Sequence, residues 1–334
     1  MVKMLDVAKA AGVSKSTVSR VLNGKDIVSD EIKRLVFKAI EETGYRPNLL
    51  AQQLATQKTR LVGFVMTNAL YNGPYFSTLI YGAATWSEQY QHQLIFADGK
   101  HSAEDETAAI DYLVRMKCAG IMVYPQYLTP DKLDAIIDAS PVPVIVLNRT
   151  LPRHPECAIS VLHYQCARMM MAFILDMGHR NIAWISGRNG SPTNIMRYQA
   201  YLDALSEQGL TPEPALAVAG DWSMESGYAA ARQLIEQAVP FSLILAGNDD
   251  MALGAMKALQ EAGIAVPGDI SVAGFDDSRI GGFVSPALTT IKIPLTDMVK
   301  LAVERLLGIS PHTDKSCVSL PGELVIRDSV KNLN

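Results

Sequence analysis

Two periodicities divide the chain. Up to about residue 45, apolar side chains recur at the three- and four-residue spacing of short helices; beyond residue 60 they come in strand-length runs alternating with helical stripes. In the first segment Leu5, Val7, Ala8 and Ala11 share a helical face that ends at Gly12, a residue that accepts the left-handed conformation of a helix C-terminus. Ser14 is suited to cap the next helix, which turns Val18, Val21 and Leu22 inward and Lys15, Ser16, Ser19 and Arg20 outward. Ala8, Gly12 and Val18 have the spacing at which two helices cross closely, so the pair is expected to form a helix-turn-helix, stopped by Asn23-Gly24. Ser29 is placed to cap a third helix, with Asp30 and Glu31 at its positive end and a stripe of Ile32, Leu35, Val36, Ala39 and Ile40 before Gly44. The plainer alternative is a helical hairpin packed on the body. Tyr45-Arg46-Pro47-Asn48 breaks the pattern, and the helical piece at 49–55 is too short to stand without a partner.

In the body, apolar runs at 61–66, 94–97, 120–124 and 144–147 predict strands, with helices over 75–91, 103–116 and 131–139 between them. The pattern restarts with strands at 158–161, 181–186, 216–219, 243–246 and 270–273 and helices over 164–177, 196–208, 226–237 and 251–262. A helix over 295–307 and a strand-like piece at 323–326 follow. Strands apolar on both faces and alternating with helices imply parallel sheets covered on each side. The expected fold class is an N-terminal all-α helix-turn-helix domain plus α/β, the latter as two doubly wound parallel-sheet lobes.

Charge sharpens this division. The net charge of −4 over 334 residues hides a basic head: residues 1–60 hold 11 Lys/Arg against 6 Asp/Glu, and the remainder is acidic. A basic head on an acidic body suggests local contact with a polyanion. Four scattered cysteines without a C-x-x-C suggest reduced thiols, and no signal peptide or membrane span is evident, so a cytoplasmic location is expected.

Open parallel sheets bind ligands at the carboxyl ends of their strands. The polar residues there are Thr67-Asn68, Asp98, Asn148-Arg149, Gly187-Arg188-Asn189, Asn248-Asp249-Asp250 and Asp276-Asp277. Planar amides, carboxylates and guanidinium groups pair with vicinal hydroxyls, and Tyr71, Tyr75, Phe76 and Trp222 offer flat apolar faces, a combination suited to a sugar. The competing reading is that Asp249, Asp276 and Asp277 only cap helices and form turns. Phosphate-binding glycine loops and a G-x-S-x-G nucleophile are absent from the sequence. His154-x-x-Cys157 and His163-x-x-Cys166 have metal-like spacing, but Pro155 interrupts the first, and no metal, cofactor or catalysis is expected.

The segments 6–14, 17–23, 45–48, 248–254, 270–277 and 288–291 appear in an order that resembles the lactose/galactose repressor family over essentially the full length. Within that family, 67–71 and 96–102 resemble a branch serving a β-glucoside operon. The resemblance implies a periplasmic-binding-protein-like body and a sugar-responsive repressor that binds a near-palindromic double-stranded DNA operator. It implies that Lys15, Ser16 and Arg20 read bases, that Thr17 and Ser19 contact phosphates, and that Asn23 belongs to the same surface. Leu54 matches a hinge leucine that wedges into the minor groove. Arg197, Trp222, Asn248 and Asp276 match sugar-contacting positions, and Tyr71, Phe76 and Asn148 complete the expected effector site. Asn148 stands where the lactose repressor is acidic, and Leu295 where it is aromatic, which bears on which sugar binds. The implied domains are 1–46 for DNA binding, 47–59 for hinge and linker, 60–160 plus 292–320 for one lobe, and 161–291 plus 321–330 for the other. No heptad tail follows, so a homodimer is expected. The alternatives are a solute-binding protein of the same two-lobe form and a regulator whose ligand acts as co-repressor.

Overall fold

The computed structural model describes residues 2–22, 28–46, 59–68, 74–309 and 316–334, and the chain divides into two compact units, Met1–Arg60 and Leu61–Asn334. In the first, helices α1 (Met4–Ala10), α2 (Lys15–Leu22) and α3 (Asp30–Thr43) enclose a small core of Val7, Ala8, Val18, Val21, Val28, Val36 and Ala39. Ser14 caps α2 as its position predicts: its hydroxyl accepts the Thr17 amide at 3.1 Å. Gly12 has φ +66°, and the chain turns sharply enough for the Val13 amide to reach the Ala8 carbonyl at 3.0 Å.

Three details depart from expectation. A Cβ at Gly12 would meet nothing within 4 Å, so the close crossing rests on Ala8 and Val18, and the glycine serves the turn alone. Leu5 and Leu35 are 51% and 46% exposed, so the buried stripe is narrower than the periodicity suggests. Ser29 stands at the N-cap of α3, but its hydroxyl makes no capping bond.

The second unit contains two parallel sheets. The first joins β1 (Leu61–Met66), β2 (Gln93–Asp98), β3 (Gly120–Tyr124), β4 (Val144–Leu147), β5 (Ala158–Val161) and β11 (Val318–Leu320) in the order β11-β5-β4-β3-β1-β2. The second joins β6 (Ile182–Ser186), β7 (Ala217–Ala219), β8 (Leu243–Ala246) and β9 (Ser271–Ala273) in the order β7-β6-β8-β9. A two-stranded antiparallel ribbon, β10 (Thr290–Lys292) with β12 (Glu323–Val325), accompanies the returning chain.

Helices α4 (Pro74–Gln89), α5 (Ala103–Arg115) and α6 (Pro130–Ala139) connect the first sheet, and α7 (His163–Asp176) leads into the second. There α8 (Pro192–Glu207), α9 (Met224–Glu236) and α10 (Asp249–Glu261) alternate with the strands. The late helix α11 (Leu295–Leu306) packs on α4 and on β3, β4 and β5. Its buried face is Leu295, Met298, Val299, Ala302, Val303 and Leu306.

The apolar pattern suggests that a second repeat begins with β5, but β5 belongs to the first sheet, where Val146 pairs with Ala158 and Ile159 with Val318. The chain leaves that sheet after β5 and returns to it at β11. β1, β3, β4 and β8 are buried throughout, as the two-sided apolar pattern predicts, whereas the edge strands β2 and β7 each expose part of their length.

Candidate functional site

On the DNA-contacting candidate, Lys15, Ser16 and Arg20 are exposed along one side of α2, while Val18 and Val21 on the other side are buried. Thr17 and Ser19 are half-buried. The Ser14 hydroxyl lies 2.7 Å from that of Ser16 and 2.8 Å from that of Thr17, so the start of the helix is locked by hydroxyls and its two long cations project. Asn23, Leu54 and the segment around Leu54 lie outside the described residues, as does Tyr71.

In the body, a cavity of about 440 Å³ gathers side chains from the carboxyl ends of strands in both sheets. Asn148 follows β4 with φ +57° and is almost fully buried. Its Nδ2 donates to the Tyr124 hydroxyl at 2.7 Å and to Thr193 Oγ1 at 3.3 Å, while Oδ1 lies 2.7 Å from His163 Nε2. Arg197 on α8 is 1% exposed; its guanidinium bonds the Gly247 carbonyl at 2.5 Å and Asp276 Oδ1 at 3.2 Å and lies 4.4 Å over the Phe275 ring. Asn248 caps α10, Oδ1 accepting the Met251 amide at 3.0 Å while Nδ2 donates to the Trp222 carbonyl at 3.0 Å.

Trp222 has φ +81°, and its indole lies against Gly187: a Cβ there would come within 2.1 Å of the ring. Glycine after β6 is therefore what lets the indole form a cavity wall. Tyr75 on α4 closes the other side, near Tyr124, Arg197 and Asp276.

Burial pushes the Asp276 carboxyl up to about 6, against the opposing pull of Arg197, and burial likewise pushes Asp250 up to about 6. Burial, with help from the nearby guanidinium groups of Arg197 and Arg149, holds His163 well below the usual histidine range. Tyr124 is pushed up to about 12, chiefly by burial, so its hydroxyl stays protonated.

Of the expected effector residues, Asn148, Arg197, Trp222, Asn248 and Asp276 line this one cavity. Phe76 does not: its ring meets Phe96 edge-on at 5.8 Å. Thr67 is buried and Asn68 pairs with His101, both away from the cavity lining. The turn-forming reading holds for two carboxylates. Asp249 accepts the Ser278 amide and the Thr290 hydroxyl, and Asp277 pairs with Arg327.

Sequence reasoning did not place Tyr124, Thr193, Asp221 or His163 at this cavity. Tyr124 and Asp221 follow the carboxyl-end rule, as the last residue of β3 and a residue just after β7, and that rule applied more widely would have found them. His163 was visible only as a metal-like pairing with Cys166; its ring nitrogens instead face Asn148 and Arg197. Among the described residues no group of three metal-ligating side chains occurs.

A basic helix-turn-helix unit in one chain with a two-sheet unit built around a polar cavity defines a ligand-responsive DNA-binding transcription regulator. Residues 3–48 match the family model of bacterial regulatory proteins of the lacI family, and residues 171–330 that of the periplasmic binding protein-like domain. The chain is 46% identical to the HTH-type transcriptional regulator AscG of Escherichia coli K12 over 331 residues, which is 99% of this chain and 98% of AscG. The chain belongs to the lacI family. It superposes on the Lac repressor dimer bound to operator and the anti-inducer ONPF with a TM-score of 0.88, at 29% identity over 99% of each chain. It superposes on the CelR–cellobiose complex with a TM-score of 0.71, at 28% identity over 98% of this chain and 100% of that one. Among the described residues no helix is long and apolar enough to cross a membrane.

Proposed function

We propose that this protein represses an operon for sugar use, binding a near-palindromic operator as a homodimer and releasing it when a sugar fills the cavity. The observation that carries this reading is the cavity's composition. Planar groups of both polarities (the Arg197 guanidinium, the amides of Asn148 and Asn248, the carboxylates of Asp250 and Asp276) line one cavity with an indole. Such a set pairs with vicinal hydroxyls while the ring stacks on carbon faces of the sugar. A β-glucoside or galactoside is the class we assign; the resemblance of 67–71 and 96–102 and the cellobiose held by CelR support it. The protein acts by binding, not by catalysis.

The lobes we assign are 60–160 with 292–320 and 161–291 with 321–330. β11 completing the first sheet and α11 packing on α4 support that division. Asn148 belongs to one lobe and Thr193 to the other, so their 3.3 Å hydrogen bond ties the lobes directly. A sugar bonded to groups of both lobes changes the angle at which the lobes meet, which couples the cavity to the hinge by about 1–3 kcal/mol.

The test is anisotropy titration of the full chain on its own upstream DNA, at stepped salt, with and without salicin, arbutin, cellobiose and lactose. Salt-dependent specific binding weakened by one of these sugars is expected. Strengthening by sugar would make the ligand a co-repressor, and no specific binding at any salt would end the regulator reading. Asp276→Ala should abolish the sugar response while leaving operator affinity intact; unchanged sugar affinity by calorimetry would remove Asp276 from the site.

A further inference from the structure

Asn148 touches three groups in the cavity, and two of them cannot decide which way its amide points. The Tyr124 hydroxyl and the Thr193 hydroxyl each donate or accept. The third is His163, whose Nε2 lies 2.7 Å from Asn148 Oδ1. The other ring nitrogen, Nδ1, lies 3.5 Å from Arg197 Nη2. A guanidinium only donates, so Nδ1 carries the lone pair and Nε2 the proton. The ring is 1% exposed and faces the positive charges of Arg197 and Arg149, which keeps it neutral.

The order of donors is therefore set from one lobe to the other. Asp276 accepts from Arg197, Arg197 donates to His163, and His163 donates to the Asn148 oxygen. The amide N–H groups then point at Tyr124 and Thr193, whose oxygens accept them. Both hydroxyl protons are left to donate toward the cavity.

We propose that His163 is a positioning residue for effector specificity: as a neutral imidazole protonated on Nε2 it turns the Asn148 amide so that the Tyr124 and Thr193 hydroxyl protons are presented to this end of the cavity. The ligand group recognised there is an oxygen that accepts without needing to donate, such as the bridging or ring oxygen of an O-glycoside. The hydroxyl-rich part of the ligand then lies toward Asp276 and Asp250. This assignment rests on the sugar reading for its ligand, though not for its tautomer.

Nitrogen-15 NMR of the full chain without ligand reads the tautomer directly. Ring shifts of the Nε2–H form that do not move between pH 5 and pH 8 are expected; an Nδ1–H pattern or a titrating ring would overturn the proposal. Calorimetry with salicin and cellobiose reads the consequence. His163→Gln, whose amide can donate to Asn148 and accept from Arg197, should bind within about threefold of the parent, whereas His163→Leu and Asn148→Asp should bind about tenfold or more weakly. In Asn148→Asp the carboxylate accepts from both hydroxyls and draws their protons out of the cavity. Equal affinity of His163→Leu and the parent, with both folded by thermal unfolding, would also overturn it. If no sugar binds the parent, the sugar reading fails, while the ligand-free tautomer still decides the role of His163.

Discussion

Arg197→Met is the substitution that isolates the charge pair at the base of the cavity. The Asp276 side chain is 6% exposed and that of Arg197 1%. Even with its partner present, the Asp276 carboxyl stands at about 6 rather than 3.8, because desolvation outweighs the guanidinium. A rise of about two pKa units corresponds to roughly 3 kcal/mol. The sign follows from linkage: the folded state holds this proton more tightly, so the contribution is fully favourable below pH 3.8 and is lost as pH rises through 6. Removing the guanidinium drives the carboxyl higher still and extends the loss upward in pH. Breaking a buried pair from one side costs about 3–5 kcal/mol when the remaining charge is ionised. For a unit of this size that corresponds to a drop in Tm of roughly 10 °C. The three tryptophans, Trp86, Trp184 and Trp222, all lie beyond residue 60, so their fluorescence reports unfolding of Leu61–Asn334 alone. Arg197→Met should lower Tm much more at pH 8 than at pH 5, and Arg197→Met with Asp276→Asn should recover most of the loss at pH 8. Asp250, also near 6, is common to every variant and drops out of the differences. An equal loss at both pH values, or a double variant no better than the single at pH 8, would refute the reasoning.

Gly187→Ala places a methyl group 2.1 Å from the rigid Trp222 indole, which must leave the cavity wall; affinity for salicin should fall about tenfold by calorimetry, with operator affinity unchanged in the absence of sugar. Arg20→Ala should weaken operator binding by about 1–3 kcal/mol in anisotropy titrations, with Tm unmoved because the side chain is exposed. Leu54→Ala should weaken binding to the operator more than to random-sequence DNA; equal losses on both would remove the wedge role.

Much of the fold was legible because parallel sheets impose simple rules. Two-sided apolar runs marked the buried strands, and placing polar residues after strands found Asn148, Asn248 and Asp276 before any contact was known. Parallel strands deliver their carboxyl ends to one edge, so these distant residues meet in a single cavity. Strand membership was less legible. β5 has the apolar content of a new repeat, and only its pairing with β4 and β11 assigns it to the first sheet. Phe76 shows the same limit at the level of a side chain, since an aromatic near the site counts only if its ring faces the cavity, and this ring faces Phe96.

The carboxylates show where composition stops being informative and backbone conformation takes over. Asp249-Asp250 and Asp276-Asp277 are similar dipeptides after consecutive strands, yet the four residues do different things. Asp249 is turned inward onto the Ser278 amide and the Thr290 hydroxyl, which fastens the loop after β9. Asp277 is turned toward Arg327 and fastens the returning C-terminal segment. Asp276 adopts φ +114°, a backbone state that L side chains rarely occupy, and this directs its carboxylate to Arg197. The backbone on either side of that residue is held by the Asp249 amide on the Phe275 carbonyl, by the Asp249 carboxylate on the Ser278 amide and by the Asp277–Arg327 pair, so the two structural carboxylates serve the cavity indirectly. An Asp-Asp pair after a strand thus marks a candidate, and the partners of each carboxylate decide which one lines the cavity: Asp250 and Asp276 do, while Asp249 is taken by Ser278 and Thr290 and Asp277 by Arg327.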